Sequence, residues 1–218
     1  MNTMKLWIKT HRIVKWLFPR YIWDYQTKEK TVWLTFDDGP IPAVTPWVLE
    51  QLSVHNARAT FFCIGDNVRK HPDIFGKLLD AGHTIGNHTF NHWNGWKTPA
   101  PDYLANVMAC REAICERTDD RHRLFRPPYG RITRKQARVL RRQGYKIIMW
   151  DVVSADFDAG ISPEQCVQNV LRNVRPGSII VFHDSVKARK NLEYALPKVL
   201  EFLTANGYRC EVPRQICS

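Results

Sequence analysis

Val32-Trp33-Leu34-Thr35-Phe36-Asp37-Asp38-Gly39-Pro40 is the stretch from which the rest of the chain is read. Its first five residues are apolar or strand-forming, and Gly39-Pro40 stops the run, so two adjacent carboxylates fall where a buried strand ends. Neighbouring carboxylates in such a place repel unless a cation lies between them or an arginine matches one of them. The segment Thr35-Phe36-Asp37-Asp38-Gly39-Pro40 alone is equally readable as a solvated Asp-Asp turn. The residues that decide lie downstream.

From Lys30 onward, apolar runs alternate with amphipathic helices. Strands are predicted at 32–36, 60–64, 84–86, 124–126, 146–151, 178–183 and 208–212. Helices fill the gaps. Thr45 is read as a cap and Pro46 as a first-turn residue, Gly82, Gly144 and Gly207 stop three helices, and Ser162-Pro163 opens another. Strand followed by helix, repeated in this way, implies right-handed crossovers and a parallel sheet. The predicted fold is a distorted (β/α)7 barrel with outer helices, and an open doubly wound sheet is the alternative. Sites in such folds gather after the carboxyl ends of strands. Asp37-Asp38 follows the first strand, His88 to His92 the third, Arg126-Pro127-Pro128-Tyr129-Gly130 the fourth, Asp156 the fifth and His183-Asp184 the sixth.

The 218 residues suffice for one domain with its own core, read as 30–218, preceded by a basic amphipathic segment, 1–29. The formal charge of +11 suits an anionic partner, but no groove-reading motif is present and no nucleic-acid partner is expected. Cys63, Cys110, Cys115, Cys166, Cys210 and Cys217 form no Cys-x-x-Cys pair, and thiols in a reducing compartment are expected. In the first segment Lys5, Lys9, Arg12, Lys15 and Arg20 are scattered among Trp7, Trp16, Phe18 and Trp23, with no apolar run of signal-peptide or membrane-span length. A cytoplasmic or membrane-surface monomer is therefore expected. Ile13, Val14, Leu17 and Phe18 share one helical face that ends at Pro19; this face is expected to pack on the domain, with weak membrane-surface contact as the alternative.

His88 and His92 have the i, i+4 spacing that puts two imidazoles on one face of a helical turn. With a strand-end carboxylate they make a two-histidine, one-aspartate set that leaves positions open for water and substrate, suited to Zn²⁺, Co²⁺, Ni²⁺ or Fe²⁺. One of the two aspartates would then bind the ion and the other would take a proton from water.

Four ordered motifs carry a resemblance: Thr35-Phe-Asp-Asp-Gly-Pro40, His-Thr-x-x-His at 88–92, Arg-Pro-Pro-Tyr-Gly at 126–130 and His-Asp at 183–184. Over residues 31–208 the chain resembles the polysaccharide deacetylases, also called carbohydrate esterase family 4 or the NodB-homology domain. The resemblance implies that Asp38, His88 and His92 hold a divalent metal, zinc foremost, and that Asp37 is the general base. Arg126 would pair with Asp37 and hold its rotamer. His183 would be the general acid, oriented by Asp156, which fixes its tautomer and raises its pKa. Pro127 and Pro128 lack an N–H, so Tyr129 offers the first backbone donor of its loop to an oxyanion.

The chain departs from the family pattern at Phe157, where tryptophan is usual, and at Val181-Phe182, where leucine is common. In the family these positions line the acetyl pocket. Trp93 and Trp96 are candidates for stacking on a sugar ring, with core packing the equal alternative. Arg134, Arg138 and Arg141, with Arg131, Lys135 and Arg142 nearby, form a basic stripe read as a solvated helix face or an anionic-polymer contact. His55, His71, His83 and His122 are read as surface or capping residues. The implied activity is metal-dependent removal of N-acetyl groups from an N-acetylhexosamine glycan, peptidoglycan N-acetylglucosamine or a chitin-like oligosaccharide, with release of acetate. The alternatives are hydrolysis of another amide or ester, and a glycan- or metal-binding module without turnover.

Overall fold

A computed structural model describes residues 7–119 and 122–212; Lys5 and Cys217 lie outside the described residues. Eight short strands form one sheet: β1 (Thr31–Asp37), β2 (Ala59–Cys63), β3 (Thr84–Asn87), β4 (Leu124–Phe125), β5 (Lys146–Ile147), β6 (Val152–Val153), β7 (Ile179–His183) and β8 (Arg209–Cys210). Their order is β5-β4-β3-β2-β1-β7-β6, with β8 beside the start of β1, and every strand pair is parallel. β1 is buried along its whole length, as a central parallel strand covered on both faces must be.

The predicted fifth strand, 146–151, is strand only at 146–147 (β5); the chain then crosses to the opposite edge of the sheet, where β6 begins at Val152. Ile148 N–H still donates to Phe125 (2.8 Å), whereas Asp151 N–H donates to Ile179 (3.0 Å) on the far side. Five residue steps from Ile147 to Val152 reach at most about 17 Å. The two edges must therefore lie close together, which curls the sheet into a distorted (β/α)7 barrel.

The N-terminal segment is sewn into this seam rather than standing apart. Ile22 exchanges hydrogen bonds with Ile147 and Met149, Tyr25 N–H donates to Gly177, and Val153 N–H donates to Ile8. Asp151, fully buried, receives Lys9 (2.5 Å), Lys15 and the Ser178 hydroxyl (2.6 Å). Helix α1 (Arg12–Leu17) ends before Pro19 as its sequence requires. No helix of the described residues is long and apolar enough to cross a membrane.

Seven further helices surround the sheet: α2 (Thr45–Val54), α3 (Gly65–Lys70), α4 (Pro72–Asp80), α5 (Ala100–Cys115), α6 (Arg134–Arg142), α7 (Pro163–Leu171) and α8 (Arg189–Ala205). Alternation along β1 sorts its side chains. Val32, Leu34 and Phe36 point outward into a core with Val48 and Leu52 of α2 and Leu196 of α8. Trp33 points inward and packs with Phe62, Leu124, Ile148 and Ile179. Each such fully buried large side chain contributes roughly 1.5–3 kcal/mol. Thr35 and Asp37 follow Trp33 on the inner face, so the carboxyl end of β1 delivers a carboxylate to the mouth of the barrel.

Two readings of single residues are corrected. Thr45 is the first residue of α2 and not its cap: its hydroxyl donates to Asp184 Oδ2 (2.6 Å) and accepts from Ile41 N–H (2.7 Å). His83 is neither surface nor cap but buried against Phe61, where its Nδ1 accepts from Ala59 N–H (3.3 Å). Burial, with Arg58 nearby, lowers its pKa to about 4.

Candidate active site

Arg126 leaves the carboxyl end of β4 and crosses the barrel mouth without any exposure to water. Its Nη1 donates to Asp37 Oδ1 (2.7 Å) and Thr35 Oγ1 (2.8 Å), its Nη2 to the Met149 carbonyl (2.9 Å), and its plane lies 4.2 Å over the Phe62 ring. Burial pulls the arginine pKa down, and the charge and hydrogen bond of Asp37 work against it. A guanidinium remains cationic through such a shift, so Asp37 is locked in place by a fixed positive partner.

Asp38, one residue on, has φ of 88°, with its carbonyl held by Asn67 Nδ2 (2.8 Å). Its Oδ1 lies 3.3 Å from His92 Nε2 and 3.8 Å from His88 Nε2. The three candidate ligand atoms fall within 4.8 Å of one another. The imidazoles do not meet on a helical turn as their spacing predicted. Residues 88–92 form a loop in which Thr89 (φ 65°) and His92 (φ 56°) are left-handed, and that reversal brings the rings to 5.1 Å.

These residues fit a divalent cation. Asp38 Oδ1 is buried and has no hydrogen-bond partner among the described residues, a costly arrangement unless a cation satisfies it. Ligand atoms around a tetrahedral ion bound at about 2.0–2.2 Å lie roughly 3.3–3.6 Å apart, close to the spacing found here. His88 Nδ1–H donates to the Arg126 carbonyl (2.8 Å), which turns the lone pair of Nε2 toward the cluster. Burial lowers the pKa of His88 and, with His88 beside it, brings His92 to about 4, so both rings are neutral donors at pH 7. Burial alone would raise the pKa of Asp38, but the charge of His183 and the neighbouring imidazoles outweigh it, and the net shift is downward.

His183 ends β7, the strand beside β1. Asp156, buried in the loop after β6, accepts from His183 Nδ1–H (2.8 Å) and from its backbone N–H (2.8 Å). Nε2 is left to exchange a proton. Burial disfavours charge on this ring, yet the Asp156 charge and hydrogen bond, with Asp38 and Asp37 beyond, prevail and raise the pKa to about 9.

Tyr129 is left-handed (φ 60°), its ring sits 4.6 Å from that of His92, and its backbone N–H makes no hydrogen bond among the described residues. Phe157 packs edge-on against His183 at 4.8 Å. Val181 faces the interior one step below His183 and is buried. Trp93 and Trp96 are both exposed, so neither is a core residue, and Arg131 stacks on Trp96 at 5.3 Å.

Two supporting residues were not legible as such in the sequence. Asp184 accepts from Gly39 N–H (3.0 Å) and from Thr45, while Asn191 Nδ2 donates to the carbonyls of Asp156 (3.1 Å) and Ile161 (3.2 Å). Gly39 is required by this packing: a Cβ there would lie 1.9 Å from Asp184 Oδ2. Both partnerships join residues more than thirty positions apart, and no local pattern reports them.

Fold and site together define the class, a curled parallel barrel with a two-histidine, one-aspartate candidate metal-ligand set at the carboxyl ends of its strands. Residues 24–148 match the family model described as polysaccharide deacetylase. A Bacillus cereus peptidoglycan-N-acetylglucosamine deacetylase is 36% identical over 81% of this chain, which spans 64% of that relative's length. An Azorhizobium caulinodans chitooligosaccharide deacetylase is 39% identical over 72% of this chain and 74% of its own. The crystal structure of the Bc1960 peptidoglycan N-acetylglucosamine deacetylase superposes with a TM-score of 0.83 at 33% identity, covering 89% of this chain and 92% of the other. The chain belongs to the polysaccharide deacetylase family, carbohydrate esterase family 4.

Proposed function

We propose that the protein is a metal-dependent hydrolase that removes acetyl groups from the nitrogen of an N-acetylhexosamine glycan, either peptidoglycan N-acetylglucosamine or a chitin-like oligosaccharide, and releases acetate. It acts as a monomer. Family membership supports the reaction class, and the named activities of the relatives support the substrate. The observation that carries the reading is the pairing of Asp37 with His183 at the carboxyl ends of β1 and β7, beside the Asp38, His88 and His92 cluster, each with a dedicated buried partner.

A divalent cation held by Asp38, His88 and His92, zinc foremost with Co²⁺ or Ni²⁺ as substitutes, supplies Lewis-acid polarisation of carbonyl and water when bound. Asp37, pinned by Arg126, takes the proton of the attacking water as oxygen adds to the acetyl carbonyl. The Tyr129 N–H faces the developing oxyanion. His183, held by Asp156, gives its proton to the nitrogen as the C–N bond breaks, because a neutral amine leaves far more readily than an amide anion. Phe157 and Val181 shape the space around the acetyl methyl, and Trp93 offers a face to the sugar.

The test is acetate release from a ladder of N-acetylglucosamine oligomers, with and without chelator. Chelator-sensitive release that is lost in Asp37→Asn is the expected result. Turnover of aryl acetates with no acetate from any sugar would replace this reading with a different hydrolase.

A further inference from the structure

The N-terminal helix is turned inside out. On α1 the half-buried Val14 and Lys15 face the barrel, Val14 against the cluster around Trp23 and Lys15 onto Asp24 (2.5 Å). The large apolar side chains at i, i+3 and i+4 face water instead: Ile13 is 70% exposed, Trp16 77% and Leu17 57%. Trp7 and Phe18 extend the same exposed set. A contiguous row of this kind, on a segment otherwise anchored by buried ion pairs, marks an interaction surface rather than a failure to pack.

The two sides of the ridge are basic. On one side lies a cleft of ≈ 910 Å³ that shares no lining residue with the candidate metal-ligand cluster, lined by Arg12, Lys15, Trp16, Lys28 and Arg175. Its one acid, Asp24, is already bound by Lys15 and by Arg175 (2.9 Å). On the other side a cleft of ≈ 240 Å³ places Leu17 and Phe18 against Arg20, Arg134, Arg138 and Arg141. None of these four arginines is ion-paired with an acidic side chain among the described residues.

We infer that this surface docks on an anionic phospholipid bilayer, with Ile13, Trp16 and Leu17 entering the interfacial region and the flanking arginines and lysines meeting headgroup phosphates. The arrangement of apolar side chains between cations is what an interfacial helix presents, and it complements the +11 charge of the chain. A soluble anionic polymer would use the arginines and leave the ridge without a role. None of the ridge residues lines the cluster of Asp38, His88 and His92, so docking leaves the catalytic mouth open.

The experiment is co-sedimentation of the full chain with vesicles of phosphatidylcholine alone and of equimolar phosphatidylcholine and phosphatidylglycerol. Binding is expected to the anionic vesicles only and to weaken with salt. Trp16→Glu with Leu17→Glu should weaken it at least tenfold, and Arg134→Glu with Arg138→Glu should do the same, since each cation near such a surface contributes about fivefold. Val54→Glu, at an exposed position on α2, should change nothing. All the substituted side chains are exposed, and unchanged thermal midpoints will verify folding. No sedimentation with anionic vesicles overturns the inference, as does binding indifferent to the Trp16 and Leu17 changes. Polyphosphate binding as tight as vesicle binding, unaltered by Trp16→Glu, would replace the membrane with a polymer.

Discussion

Asp37 and His183 are register partners in the parallel pairing of β1 with β7. Adjacent strands lie about 4.8 Å apart, so a carboxylate and an imidazole stand side by side at the barrel mouth by virtue of strand register alone. Each is fixed by a residue from elsewhere, Arg126 for the first and Asp156 for the second. If they serve one reaction, Asp37→Asn and His183→Asn should each lower kcat by about 10²–10⁴. The double variant should be little worse than the poorer single one, because groups acting as a unit are not additive. Steady-state kinetics on chitooligosaccharides reads this directly, and full additivity would separate the two roles.

The pKa of His183 sets an alkaline limit. The ring is raised from 6.5 to about 9, so its acid form falls as pH rises through that value, and the rate should fall with it. The same shift contributes stability that is complete below pH 6.5 and lost as pH climbs through about 9. A cation held by Asp38 would offset part of the aspartate charge and should place the limb at or below 9. Asp156→Asn should move the limb of the kcat profile downward with little change in KM.

Arg126 is a buried cation whose removal leaves Asp37 without a partner. Arg126→Met should cost about 3–5 kcal/mol in urea denaturation, the range for breaking one side of a buried pair. Arg126→Lys should recover only part of this, since an ammonium cannot reach Asp37, Thr35 and Met149 together.

Metal content should follow the three-residue cluster. Elemental analysis should find the ion in the unaltered protein and in Trp93→Ala. His88→Ala, His92→Ala and Asp38→Ala should retain at most a tenth, since each removes one of the three proposed ligands. Equal content in all the variants would refute the site.

Gly39 and Asp184 should behave as one unit. Gly39→Ala drives a methyl group into the Asp184 carboxylate and should destabilise by about 1–3 kcal/mol, as overpacking does. Burial raises the Asp184 pKa from 3.8 to about 8, opposed by the Thr45 hydrogen bond, so its contribution is complete below 3.8 and lost as pH rises through 8. In chelator-treated protein, Asp184→Asn should flatten the decline in stability up to pH 8, measured by thermal melts.

The chain itself determined the barrel and the members of its candidate site. Apolar runs ended by Gly and Pro, alternating with capped helices, specify parallel strands because burial and hydrogen bonding act locally at every repeat. The Asp-Asp, His-x-x-x-His, Arg-Pro-Pro-Tyr-Gly and His-Asp groups declare themselves by residue type and by position at strand ends. Only the tertiary structure decided how they meet. The split of 146–151 across the seam, the left-handed turns at Thr89 and His92 and the hold of Asp184 on Gly39 depend on which distant backbone arrives alongside, and no periodicity encodes that. The outward turn of α1 has the same origin. Its hydrophobic face was legible, but Lys15 found the part-buried Asp24 and the fully buried Asp151, and satisfying those charges set the helix rotation ahead of burying Ile13 and Leu17.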